Sequence, residues 1–529
     1  MRKYFYASVI ILLTLTIYLS AFSLWFLLLL ILIIPCTVLG IYDCLQQQNN
    51  VTRNFPVVGH IKQLFISNRE LLQDWIFENE REIRPFDRIQ REMVYHRADD
   101  KQQTVPFGTH YNYYEPGYEW MLHSNNPSKE IKTDLRILVG GKDCTQPYSC
   151  SILNVGGMSY GSISKNATMA LNGGARLGNF ASNTGEGGLT DYHLHYGGDL
   201  IFQFGTGYFG CRTPDGKFDE AEFILKATVP QVKMIEIKIS QGAKPGYGAI
   251  LPGIKITAEI ARIRNIKKGV TIISPAAHSA FSTPVELMYF IKKLRNASAG
   301  KPIGFKFCLG KRHEVFALCK AMLKTGIMPD FITIDGAEGG TGAAHYESAN
   351  WVGMPLEDAV PFVYNVLTGF GLKKHIKLFV SGKIISAFHI VRYLALGADA
   401  CYSARGMMFA LGCVQALQCD RDTCPTGITT TNENLVRGLV PEDKKQKVYN
   451  YHRYALNAVK DMLISAGLQS PEELNRSLIC HRTGTNSIKT LEEIYPCIPE
   501  GTLLTQPYPE EYKTYIEISS TESFQEIRK

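Results

Sequence analysis

Three cysteines and a few charged residues in glycine-rich stretches carry the chemistry this chain could do. Cys413, Cys419 and Cys424, the last followed by Pro425, place three thiols in one short loop after a run of small and apolar residues. Three soft ligands suit an iron–sulfur cluster, or zinc completed by an external fourth ligand; the alternative is a set of buried, unliganded thiols. Gln241, Lys244 and Arg264 offer an amide and two cations, with Lys244 inside the punctuated run Gln241-Gly242-Ala243-Lys244-Pro245-Gly246. Fixed cations and amide donors are what a dicarboxylate requires, whereas solvated surface cations are the ordinary alternative. Glu186 sits among glycines in Asn183-Thr184-Gly185-Glu186-Gly187-Gly188, where backbone donors are plentiful and side-chain bulk is absent. Such a carboxylate can move protons. Glu338, in Gly336-Ala337-Glu338-Gly339-Gly340-Thr341-Gly342, is a second acid/base candidate or else a helix cap.

With Met158-Ser159-Tyr160-Gly161, these stretches make five blocks, the last running from Cys413 through Gly427. Their order and spacing resemble the synthase domain of glutamate synthases, and among these the short, stand-alone FMN-binding branch with an amino-terminal membrane segment. The resemblance extends over roughly residues 105 to 470. It implies a (β/α)8 barrel that reduces a 2-imino acid, formed from 2-oxoglutarate and ammonia, to glutamate. It also implies a [3Fe-4S] cluster on Cys413, Cys419 and Cys424, and FMN as the flavin, with Met158 and Ser159 in its site. Lys306 would stabilise negative charge near N1 of the reduced ring. The phosphate in such barrels rests on the loops after strands seven and eight, here Ser381-Gly382-Lys383 and Ala404-Arg405-Gly406. The spacing of Gln241, Lys244 and Arg264 matches that of the residues holding 2-oxoglutarate in the family, and Glu186 would line the ammonia entry.

Three departures shape the expectations. The chain begins with Met1-Arg2 and an apolar segment in place of a cysteine nucleophile, so nitrogen is expected as free ammonia or from a separate amidotransferase. No NAD(P)H-binding subunit is fused, so electrons are expected from a partner protein, a ferredoxin-like carrier or a membrane redox component. Where large family members carry Gly-Glu-Gly-Gly after the substrate lysine, this chain reads Gly246-Tyr247-Gly248-Ala249, which leaves the amine and the 2-oxo acid open. The alternative readings are an N-methylglutamate synthase-like enzyme and a membrane-tethered flavin/iron–sulfur electron-transfer module.

The elements that must position these residues are short β-branched or aromatic runs ending in Gly, Ser, Asn or Asp, each followed by a helical segment. The expected strands are Ile152–Val155, Asn179–Asn183, Leu200–Phe204, Met234–Ile239, Ile303–Cys308, Phe331–Asp335, Lys377–Ser381 and Asp399–Ser403. Together they suit a closed parallel barrel with its chemistry at the strand ends. A further run, Val270–Ser274, makes the count ambiguous, so a doubly wound sheet is the alternative fold. Gly205-Thr206-Gly207-Tyr208-Phe209-Gly210 mimics a dinucleotide fingerprint, but turn-forming Cys211-Arg212-Thr213-Pro214-Asp215-Gly216 follows and opens no helix, so no nicotinamide site is expected. The barrel is assigned to 131–435, a linker and cap to 44–130, and a helical extension with a polar tail to 436–529.

From Tyr4 to Ile41 no residue is charged, and Ser20-Ala21-Phe22-Ser23 offers a break. One straight helix over that stretch would run roughly 57 Å, nearly twice the hydrocarbon thickness. Residues 1–43 are therefore read as a transmembrane helical hairpin that leaves the catalytic domain cytoplasmic; a cleaved signal peptide and a single long span are the alternatives. The net charge of +7 is spread without a dense basic run interleaved with aromatics, which argues against nucleic-acid binding. Dispersed cysteines fit a reducing compartment.

Overall fold

The computed structural model describes residues 2–46, 55–60, 84–101 and 103–527. Two compact units divide the chain, Met1–Arg88 and Ile89–Lys529. Much of the expected linker lies outside the described residues.

In the first unit, helix Arg2–Ser20 is followed by a 3-10 turn, Leu24–Leu29, and helix Leu30–Leu45. The break falls where the sequence places it, with Ser23 extended and the Ser20 hydroxyl donating to the Ile17 carbonyl at 2.7 Å. Thr14, Thr16 and Thr37 return their hydroxyls to carbonyls one turn back, so these side chains need no water. Lys3–Ser20 and Leu24–Leu45 are each long and apolar enough to cross a membrane. Near the end of the second helix, buried Asp43 accepts the Val57 N–H at 2.9 Å and contacts His60 Nε2 at 2.7 Å.

The second unit is built on a closed parallel barrel of eight strands in sequential order. They are β1 Leu153–Val155, β2 Ser182–Asn183, β3 Leu200–Phe204, β4 Val232–Lys238, β5 Ile303–Phe307, β6 Phe331–Asp335, β7 Lys377–Ser381 and β8 Ala400–Ser403. All eight lie within or beside the expected runs, and β8 pairs with β1 to close the ring, which removes the open-sheet alternative. Of Val270–Ser274 only Ile272–Ile273 forms a strand; it pairs antiparallel with Ile250–Leu251 in a small hairpin between β4 and β5.

Inward side chains stack in layers. Ala181, Ile201, Met234, Phe331, Phe379, Ala400 and Tyr402 fill the base, which the antiparallel pair Arg136–Val139 and Tyr148–Ser151 closes with Val139, Tyr148 and Cys150. Helix Pro441–Ser465, in the expected helical extension, packs on the first barrel helix, Lys165–Gly178, and on Ala387–Ala395, and so joins the outer ring. The terminal region also contains strands: Ile479–Gly484 pairs antiparallel with Ser487–Thr490 and with Glu119–Met121, joining the cap to the tail.

Candidate active site at the barrel mouth

Period-two alternation along β4 puts Met234, Glu236 and Lys238 on the inward face, one above another. Glu236 is fully buried and accepts from the Asn183 amide at 2.8 Å, the Thr333 hydroxyl at 2.6 Å and the Gln203 amide. One pleat higher, the Lys238 ammonium donates to both Glu186 Oε1 and Gln241 Oε1. Lys238 is thus the hub joining two of the predicted residues, although neither it nor Glu236 was singled out in the sequence. The signal was there: charges at the inward phase of a barrel strand near its carboxyl end.

Burial works against the Glu186 carboxylate, but Lys238, with Lys244 and Arg264, holds its pKa below the usual range. Gly205 makes room for it, since a Cβ there would stand 2.2 Å from Glu186 Oε2. The Gly205–Gly210 stretch therefore backs the site, and no helix begins before Glu220. Within it, Tyr208 OH accepts the Ala280 N–H at 3.0 Å and meets His278 Nδ1, whose Nε2 lies 3.0 Å from the Lys238 carbonyl oxygen. Lys244 is buried and donates to the Ala343 carbonyl at 3.1 Å; burial, then repulsion from Lys238, pushes its pKa down to about 8. Burial lowers Arg264 to about 10. Its Nη2 donates to the Tyr160 carbonyl at 2.7 Å, its guanidinium lies 5.1 Å from the Phe209 ring, and its buried Nε has no hydrogen-bond partner among the described residues. Gln241, Lys244, Arg264 and Glu186 thus gather on one side of the mouth.

Asp335, also absent from the sequence candidates, links this side to the other. Its Oδ2 accepts the Gly242 N–H at 2.9 Å, its Oδ1 accepts from the Ser381 hydroxyl, and Lys306 Nζ lies 3.3 Å from it. Burial disfavours the Lys306 charge, yet Asp335 and Glu236 hold its pKa above that of an ordinary lysine. Across the mouth, Gly382 and Lys383 take positive φ after β7, and Arg405 opens the helix after β8, donating from Nη2 to the Glu338 carbonyl at 2.7 Å. Burial lowers Arg405 to about 10, so it stays charged at neutral pH. Glu338 itself caps helix Leu356–Gly369, both carboxylate oxygens accepting the Leu356 N–H at 3.2 and 3.1 Å. Met158 and Ser159 are half-buried beside the Glu186 loop, close enough that a Cβ on Gly187 would lie 2.7 Å from Ser159 Cβ.

The cysteine loop follows the helix that Arg405 opens. Tyr95 OH donates to the Cys413 carbonyl at 2.6 Å, Gln415 N lies 3.4 Å from Cys413 Sγ, and Cys424 Sγ lies 3.4 Å from the Thr426 hydroxyl. Burial pushes the Cys413 thiol up to about 12 and also raises Cys419; for Cys424 burial is outweighed by the Thr426 and Thr429 donors, and its pKa falls. The three sulfurs act on one another electrostatically. Among the described residues, the one triple of His, Cys, Asp or Glu ligand atoms within 4.8 Å of each other is Glu119, Glu357 and His481. Arg392 already joins those two carboxylates, at 2.7 and 2.6 Å, so that cluster is an ion-pair network tying the cap to the barrel.

Residues 128–469 match the family described as the conserved region in glutamate synthase. The chain is 36% identical to a glutamate synthase large subunit-like protein, YerD, of Bacillus subtilis, over 86% of this chain and 94% of that protein. It is 35% identical to an archaeal glutamate synthase [NADPH] of Methanocaldococcus jannaschii, over 60% of this chain and 59% of that protein's length. Among solved structures, a flavocytochrome b2 mutant with sulfite bound aligns at TM-score 0.41 and 10% identity, covering 83% of this chain and 88% of that one.

Proposed function

The chain belongs to the glutamate synthase family, and from that premise we propose that it reductively aminates 2-oxoglutarate to glutamate through 2-iminoglutarate, as an FMN-dependent oxidoreductase. The observation that carries this reading is the cationic basin of Lys238, Lys244 and Arg264, which surrounds Gln241 and the ionised Glu186 at the open end of the barrel. A dicarboxylate fits that set: Arg264 has an orphaned buried donor, and Lys244 keeps an ammonium close to its neutral form. Gln241, fixed by Lys238, orients the substrate. Condensation of ammonia with the 2-oxo group expels water and needs protons to move. Lys244, at about 8, can give and retake one near neutral pH, while Glu186 accepts hydrogen bonds from the incoming nitrogen.

The donor set across the mouth fits FMN: Ser381, Gly382, Lys383, Arg405 and Gly406 offer backbone N–H groups and cations for a phosphate, and Lys306 a buried cation for the ring. FMN bound there supplies hydride chemistry. Glu338 then serves as the cap that keeps the sixth loop in place. Cys413, Cys419 and Cys424 would hold a [3Fe-4S] cluster, a reading supported by one short loop carrying three sulfurs that act on one another electrostatically. A protein electron donor, and free ammonia or a separate amidotransferase, complete the scheme. The two amino-terminal helices anchor the enzyme to a membrane with the barrel on the cytoplasmic side.

The test is Lys244→Ala in the full chain, with 2-oxoglutarate binding and flavin content measured together. Loss of 2-oxoglutarate binding with flavin retained is expected; loss of flavin instead would move Lys244 to cofactor duty. One observation favours a second reading. Tyr247 and His345, with rings 5.3 Å apart, put an aromatic rim beside the Lys244 loop, which suits a small alkylamine in place of ammonia. Turnover with methylamine exceeding that with ammonium would select it.

A further inference from the structure

Lys255 is not used by the chemistry above, yet it is the most deeply buried lysine of the site region, 1% exposed. It lies in the turn Gly253–Lys255, between strand Ile250–Leu251 and helix Ala258–Arg264, whose last residue is the substrate-side arginine. Its ammonium donates to three carbonyls from two other segments: Ser162 at 2.7 Å, Cys419 at 3.2 Å and Thr429 at 3.0 Å. Ser162 directly follows the flavin-side block Met158–Gly161, Cys419 belongs to the cysteine loop and Thr429 follows it by two residues. A lysine has three N–H donors, so all are spent joining one functional segment to the next. The charged groups facing it are the Cys419 and Cys424 sulfurs, the Asp422 carboxylate and, repelling it, Arg264.

We propose that Lys255 is a positioning residue that locks the cysteine loop to the flavin-side loop and fixes a positive charge beside the thiols. The lock follows from the three hydrogen bonds, since a buried ammonium that lost them would be left uncompensated. The charge matters because a nearby cation stabilises the more negative, reduced state of a sulfur-ligated iron centre and so raises its potential. That second half rests on the reading of the three cysteines as cluster ligands.

The experiment uses the full chain, purified anaerobically, as wild type, Lys255→Met and Lys255→Gln. Iron content, flavin content, amide hydrogen exchange and the midpoint potential of the iron centre are measured on each. Lys255→Met removes donors and charge. Exchange over 160–165 and 416–431 is expected to quicken about tenfold or more, and the reduced-to-oxidised ratio at a given potential to fall about tenfold, which is about 59 mV for a one-electron couple. Lys255→Gln keeps two donors without the charge, so a similar fall in potential is expected with a smaller change in exchange. The proposal is overturned if exchange in both segments stays at the wild-type rate in both variants, or if Lys255→Gln leaves the potential unchanged. Wild-type protein devoid of iron would sink the cluster reading instead, and the exchange comparison would still decide the lock. Should Lys255→Met fail to fold, Lys255→Gln decides both.

Discussion

At the base of the barrel the inward face of β4 presents Met234, packed against Ile201, Phe331 and Phe379; two and four residues further along the same strand it presents Glu236 and Lys238. The base is uncharged, and apart from the Tyr148 and Tyr402 hydroxyls its side chains chiefly fill volume. The upper layers are charged, and the charges borne by the strands themselves are matched: Glu236 by three donors, Lys238 by Glu186 and Gln241, Lys306 by Asp335. Buried ion pairs return little net stability, because desolvation consumes most of the attraction, whereas apolar burial contributes directly. The comparison teaches a division of labour along one strand. Stability is concentrated where the interior is apolar, and the open end carries a costly preorganised field that is useful only to a charged ligand.

The sharpest way to break that division is a pair of substitutions. Lys238→Met strands the buried Glu186 carboxylate without its principal cation and frees Gln241, so turnover is expected to fall by more than about 10²-fold, with a stability loss on the order of 3–5 kcal/mol. Phe331→Ala opens a cavity in the base; a comparable loss of about 3–5 kcal/mol is expected, with turnover per folded molecule within about twofold of wild type. Urea melts and turnover with 2-oxoglutarate and ammonium, normalised to folded protein, measure both. If Phe331→Ala cut turnover as deeply as Lys238→Met, the two layers would not be separable.

A smaller effect distinguishes the layers by pH. Burial and then Lys238 bring Lys244 to about 8 in the folded protein, below its usual 10.5. Between those values the unfolded chain binds more protons than the folded one, so this lysine makes the fold gain stability as pH rises through that window. Lys244→Met should flatten that rise. Affinity for 2-oxoglutarate, which needs the ammonium, should run the opposite way and weaken above about pH 8, approaching tenfold per pH unit. Calorimetric titration from neutral pH upward reads the second slope. A flat affinity would place the recognising charge elsewhere.

Much of this was legible in the sequence. The eight strands could be found because each is a short apolar run terminated by residues that punctuate turns, and Glu186, Gln241 and Lys244 because Gly and Pro mark the loops that carry them, whereas Arg264, at a helix end, came only through the family spacing. What escaped, Lys306 apart, were charges inside strands. Glu236, Lys238 and Asp335 look like interruptions of apolar runs until the inward phase is counted, and then each falls in register with a core residue below it: Met234 for the first two, Phe331 and Thr333 for the third. Helix Pro441–Ser465 was read as an extension because nothing local says that a helix so far along the chain closes the ring against Lys165–Gly178. The pairing of Glu119–Met121 with Ile479–Gly484 joins distant segments and leaves no local trace. Val270–Ser274 had the composition of a barrel strand; its exposed Val270 and Ile273 are what a two-residue hairpin strand leaves uncovered.

The smallest expected effect concerns Glu338, the predicted acid/base residue whose carboxylate is committed to a backbone N–H. Both of its oxygens accept the Leu356 N–H, and burial, followed by the opposing backbone donors and the repulsion of Asp335, leaves its pKa raised. An amide oxygen can accept the same N–H, so Glu338→Gln should cost less than about 1 kcal/mol, the usual worth of a cap, and leave turnover within a few-fold of wild type. Glu338→Ala, which removes the acceptor, should cost about 1 kcal/mol and loosen the sixth loop, where Arg405 donates to the Glu338 carbonyl. Thermal melts and steady-state turnover on the two variants separate the roles. If Glu338→Gln lost activity as deeply as Lys238→Met while melting normally, the carboxylate would have to move protons as well as cap, and the chemical layer of the mouth would extend across the flavin side.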